Sequence, residues 1–79
     1  MNEDQVIETI KRSIEESSRH ERGVCIFLQI VKNADKLKHM SGSEFCRLVD
    51  IGETYRREFS LILKTSRRLQ AAGLDPEKL

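Results

Sequence analysis

Val24-Cys25-Ile26-Phe27-Leu28-Gln29-Ile30-Val31 is the one run in this sequence with the β-branched, apolar content of a strand. No second segment offers it a partner, and a lone strand would leave its backbone N–H and C=O groups unpaired. Reading onward, Phe27, Ile30, Val31, Ala34 and Leu37 keep a helical spacing. The segment 23–38 is therefore expected as a central helix, contacted on more than one side. Strand pairing across a dimer is the alternative. With the run assigned to a helix, the chain is committed to an all-α fold.

The remaining helices announce themselves by their ends. Val6, Ile7, Ile10 and Ile14 form one apolar stripe, with Asn2 or Asp4 as candidate caps and Ser13 and Ser17 leaving room for a neighbouring helix. The stripe fades at Ser17-Ser18, and residues 19–23 read as a break. Ser41-Gly42-Ser43-Glu44 has the spacing of a capping box, with Met40 before it as a staple against Phe45. The short helix that follows is expected to bury Phe45, Leu48 and Val49, with Cys46 beside them. Asp50-Ile51-Gly52-Glu53 offers a second box, with Gly52 as the bend. A long helix then ends at Gly73, a left-handed C′ residue, with Leu74 folding back. The expectation is a small bundle of three or four helices near 4–19, 23–38, 43–50 and 53–72.

Two organisational questions stay open. Phe45, Leu48, Gly52, Tyr55, Phe59, Ile62, Ser66 and Leu69 keep an almost unbroken alternation of three and four, so 42–72 also reads as one long helix in a hairpin dimer. Asp75-Pro76-Glu77 reads as the start of a helix. The expected organisation is one α-helical domain over 1–74, with 75–79 as a tail or the beginning of a further helix.

With 79 residues, such a chain hides only about 60–65% of its unfolded surface. Residues 24–37 are apolar over more than half the helix circumference, more than one small bundle can cover, and this predicts a homodimer. Two cysteines are too few for a disulfide framework, there is no N-terminal apolar run, and Val24–Leu28 is far too short to span a bilayer. A reduced, cytoplasmic protein without a membrane partner is expected.

The net charge of +1 selects no partner, but its distribution does. Residues 1–21 hold three basic and six acidic groups, whereas residues 22–40 hold four and one. At about 100° per residue, Arg56, Arg57, Lys64, Arg67 and Arg68 share roughly one third of the last helix's circumference, with Ser60 among them. No acid joins this arc; Glu58 falls at its far side, and Tyr55, Phe59, Ile62, Leu63 and Leu69 form the apolar side. A short capped helix, a tight bend and a longer basic helix is the element order of a helix-turn-helix unit, whose second helix enters the major groove.

The fit to that unit is partial. Cys46 stands at the small-residue position, Ile51 at the apolar turn position and Phe59 at a core position. Asp50 stands where glycine is usual, and Arg56 where an apolar residue is expected. The expected function is sequence-specific or general DNA binding, as a small transcriptional regulator or the DNA-binding domain of a longer protein. Arg56, Arg57 and Ser60, in the first two turns, are the candidates for base contact, and Lys64, Arg67 and Arg68 for phosphates. The alternative is a non-catalytic protein-interaction or oligomerisation module whose basic arc is a solvated face, laced by pairs such as Glu53–Arg57. Pairing of Glu8, Glu15 or Glu16 with Arg56, Arg57 or Arg67 would mark the cations as helix-packing groups.

Catalytic and cofactor chemistry finds little support. His20 and Cys25 are five apart and His39 and Cys46 seven apart, neither matching a structural zinc site. Glycines at 23, 42, 52 and 73 are isolated and form no phosphate loop. Glu8, Glu15 and Glu16 lie off the apolar stripe. No cofactor is expected. Tyr55 and Phe59 could stack on bases, but a one-turn aromatic pair on the apolar side is better read as core.

Overall fold

The computed structural model describes residues 3–79. Among the described residues five α-helices follow one another: α1 (Glu3–Glu16), α2 (Arg22–Lys32), α3 (Ala34–Leu37), α4 (Gly42–Leu48) and α5 (Arg56–Ala71). Short 3₁₀ turns occupy Glu53–Tyr55 and Pro76–Lys78. No strand forms among the described residues, and Val24–Val31 lies within α2. No helix among them is long and apolar enough to cross a membrane.

α1 buries the expected stripe, Val6, Ile7, Ile10 and Ile14, against α2. It ends at Glu16, three residues before the expected Arg19, where Ser17 turns its hydroxyl back to the Ile14 carbonyl (2.6 Å). Asp4 lies inside the helix and does not cap it, while Asn2, the other candidate cap, is outside the described residues. Where α2 crosses α1, the Cys25 thiol donates to the Ser13 backbone carbonyl at 3.4 Å.

The expected helix 23–38 is broken at Asn33. The Asn33 amide donates to the Gln29 carbonyl at 2.9 Å, and its backbone leaves the helical region at φ −109, ψ 18. A polar side chain that bonds its own helix's carbonyls competes with the ladder. The resulting kink into α3 sends Leu37 into the core, fully buried. Phe27 departs from the expectation in the other direction and is 41% exposed.

α2 packs against both α1 and α5, and α4 packs on α5. Phe45 of α4 and Phe59 of α5 stack with centroids 4.6 Å apart and planes 25° from parallel. This pair sits in a core with Ile10, Ile26, Ile30, Val31, Leu37, Cys46 and Val49. Tyr55 packs against the same cluster, so both aromatics are core or core-edge groups and not base-stacking ones. Burial, with smaller contributions from the Glu53 and Glu58 charges, pushes the Cys46 thiol's pKa above its ordinary value. Ser66, also buried, is satisfied by the Ile62 carbonyl at 2.8 Å.

Residues 42–72 are two helices. Ser41 caps α4 by accepting the Glu44 N–H at 3.1 Å, although the reciprocal arm of the expected box is not made. At the other end of α4, Ile51 N–H reaches the Cys46 carbonyl at 3.0 Å and Asp50 N–H the Arg47 carbonyl at 3.4 Å. That is the bonding of a Schellman ending, with Asp50 as the left-handed residue at φ 59 and Ile51 folded into the core. Asp50 therefore turns the chain and does not cap a second box, and Gly52 is not the left-handed residue. The end of α5 has the expected form, with Gly73 at φ 113 and Leu74 N–H bonded to the Leu69 carbonyl at 2.9 Å. Beyond it, Asp75 accepts the Glu77 N–H at 3.0 Å, and the Pro76–Lys78 turn lies on α2.

Candidate nucleic-acid interface

α5 is amphipathic because its residues alternate between two environments at helical spacing. Phe59, Ile62 and Ser66 are buried toward α2 and α4. Half a turn away, Arg57, Ser60, Lys64 and Arg68 follow one another at intervals of three and four, flanked by Arg56 and Arg67. All six of these candidate residues are exposed. Sixteen residues give α5 a length of about 24 Å, so the basic face runs along one whole side of a molecule measuring 30 × 25 × 24 Å.

Among the described residues, no ion pair joins these cations to any carboxylate. Glu8, Glu15 and Glu16 belong to α1, whose main packing partner is α2. The Glu53–Arg57 pair is not formed either. Glu53 lies in a 3₁₀ turn, where about 120° separates successive side chains, so the four-residue spacing no longer stacks the two groups. Five unpaired cations on one face of α5, with no acid among them on that helix and with Glu53 and Asp35 at its margins, attract a polyanion and cost nothing to unpair on binding.

The bend between α4 and α5 sets what lies beside this face. A Cβ on Gly42 would stand 2.9 Å from the Arg56 Cα and closer still to its carbonyl oxygen. The N-terminal ends of the two helices thus meet backbone to backbone. This explains why position 56 can carry arginine where the pattern asks for an apolar residue: glycine across the contact leaves no space for a side chain, and Arg56 points to solvent. Gly42→Ala should cost about 1–3 kcal/mol, the usual penalty of overpacking a rigid contact. Urea denaturation would measure it, and a loss under about 0.5 kcal/mol, the scatter of neutral surface changes, would show that the two ends are not held together.

Two open grooves flank the contact. One, of about 540 Å³, is walled by Ser41, Gly42 and Ser43 on one side and Arg56, Arg57, Ser60 and Leu61 on the other. A second, of about 410 Å³, runs between α3 and α5 and includes Lys38, Ser60, Lys64 and Arg67. Ser60 borders both. Leu61, 63% exposed, lies at the margin of the basic arc, just beyond Arg68, where charge patterning does not single it out. Its helical position beside Arg57 and Arg68 was available to find it. No group of three His, Cys, Asp or Glu residues is gathered for a metal among the described residues.

A family model described as an HTH-like domain matches residues 2–72. Neither the curated proteins nor the solved structures contain a significant match.

Proposed function

The chain belongs to the HTH-like domain family, and from that premise we propose that it binds duplex DNA through the outward face of α5. Family membership is consistent with a DNA-binding, regulatory function, and HTH-like domains are typically non-catalytic regulatory modules. In this reading Arg56, Arg57 and Ser60 approach base edges, since they occupy the first turns of α5 next to the α4 contact. Lys64, Arg67 and Arg68 hold phosphates. The observation that carries it is the row of exposed, unpaired cations on the helix that follows the Schellman turn. Duplex binding measured over a series of salt concentrations tests it: log K should fall linearly with log salt, with a slope of about −0.9 for each phosphate neutralised. Absence of salt-dependent duplex affinity even at low salt would overturn the reading and leave a protein-interaction module in its place.

The acting species in this proposal is a homodimer. Val24, Phe27 and Leu28 lie at intervals of three and four on α2 and are 53%, 41% and 40% exposed, a seam of the kind that a second copy covers in a two-fold pair. Two copies related in this way present two α5 helices to two half-sites about one helical turn apart. Sedimentation should show a particle of twice 9.2 kDa at micromolar concentration, and Phe27→Glu should return it to a folded monomer. A 9.2 kDa wild-type particle throughout that range would remove the dimer from the proposal. The boundary of the domain at residue 74 and a cytoplasmic location belong to the same proposal.

A further inference from the structure

Leu61 is the most exposed of the large apolar side chains among the described residues, at 63%. It stands in the second turn of α5, one turn from Arg57, at the margin of the basic arc and away from the buried stripe of Phe59, Ile62 and Ser66. Single exposed leucines are common and need no explanation by themselves. This one lines a groove whose other walls are Ser41, Gly42, Ser43, Arg56, Arg57 and Ser60, and that groove opens on the basic face. Cations and serine hydroxyls there have partners on a nucleic acid: phosphates, and acceptors on guanine and adenine edges. A leucine has only one counterpart on the major-groove edge of a base pair, the C5 methyl group of thymine.

We infer that Leu61 is a specificity-determining residue that selects thymine by covering its 5-methyl group. The inference rests on the proposal that α5 enters the major groove and goes beyond it, because Arg56, Arg57 and Ser60 can donate hydrogen bonds to base edges but none of them reads a methyl group. The groove beside Leu61 suits the role. Gly42 brings the α4 end close without adding a side chain, so a methyl group seated against Leu61 in this groove is bordered by Arg56, Arg57 and Ser60.

The test compares two duplexes about two helical turns long, one of alternating adenine and thymine and one with every thymine replaced by deoxyuridine. Binding of the intact chain to each is followed by fluorescence anisotropy at matched salt. The wild type should prefer the thymine duplex by about fourfold for each methyl group covered. Leu61→Gln, which changes an exposed position and should keep the helical circular dichroism, should bind the two duplexes alike with an unchanged salt slope. Equal wild-type affinity for both duplexes, with normal salt dependence, would overturn the role of Leu61 while leaving the cationic face intact. Loss of discrimination in Leu61→Gln accompanied by a flattened salt slope would also overturn it, since the side chain would then be acting through the phosphate contacts. Failure of the wild type to bind either duplex at any salt would remove both this inference and the reading beneath it.

Discussion

Replacing Phe59 by alanine should lower the unfolding free energy by about 3–5 kcal/mol, as expected for a buried aromatic in a close-packed core. A domain of this length holds only about 4–12 kcal/mol in total. The variant should therefore be largely unfolded or close to it near body temperature. The size of the effect comes from the position of the ring. Phe59 is 1% exposed and stacks on Phe45, which is fully buried, so truncation removes that ring stack between α4 and α5 together with part of the packing of α5 on α2. Little can collapse into the vacancy, because the backbones of α4 and α5 already touch at Gly42 and Arg56. Thermal and urea denaturation of Phe59→Ala beside Leu61→Ala supplies the comparison: a surface change on the same helix should cost no more than about 0.5 kcal/mol. If the two variants lost comparable stability, the Phe45–Phe59 stack would not be what holds the helical pair.

The second large effect falls on binding and spares the fold. Arg67→Ala combined with Arg68→Ala should weaken duplex affinity about 60-fold per chain at 0.1 M salt. Each lost phosphate contact removes about 0.9 from the slope of log K against log salt, so two contacts are worth about 1.8 decades at that concentration. The same variant should show a correspondingly flatter salt dependence and no change in melting temperature beyond a degree or two, since both side chains are exposed and neither is ion-paired. Base preference should be retained, because phosphate contacts position the helix and carry no sequence information. An unchanged slope in the double variant would take these two arginines out of the interface even if the wild-type protein binds DNA.

Charge on an outward helix face is legible without tertiary structure, which is why the arc containing Arg57, Lys64 and Arg68 could be drawn from the residues alone. The step of about 100° per residue is a property of the backbone, and positions opposite a run such as Phe59, Ile62 and Ser66 face solvent in almost any packing. The same reasoning accounts for the stripe of Val6, Ile7, Ile10 and Ile14, the Ser41 cap and the ending at Gly73, each a local pattern with a local cause. An apolar run without a pairing partner was enough to decide that residues 24–31 are helical.

Three features needed the assembled molecule. Asn33 and Asp50 are residues whose local preferences for helix or turn differ by no more than about 1 kcal/mol. The choice was made by what their neighbours bury: Leu37 after the kink, and Val49 and Ile51 around the left-handed turn. The alternation running from Phe45 to Leu69 was as compatible with one helix as with two, and only burial of Ile51 against the other helices made the break favourable. The Gly42–Arg56 contact joins residues fourteen apart in sequence, so nothing near either position in the chain could reveal it. Sequence periodicity determined which faces of the helices are apolar and which are charged. Tertiary packing decided where the helices stop, and so brought Ser41–Ser43 beside Leu61 at the edge of the basic face.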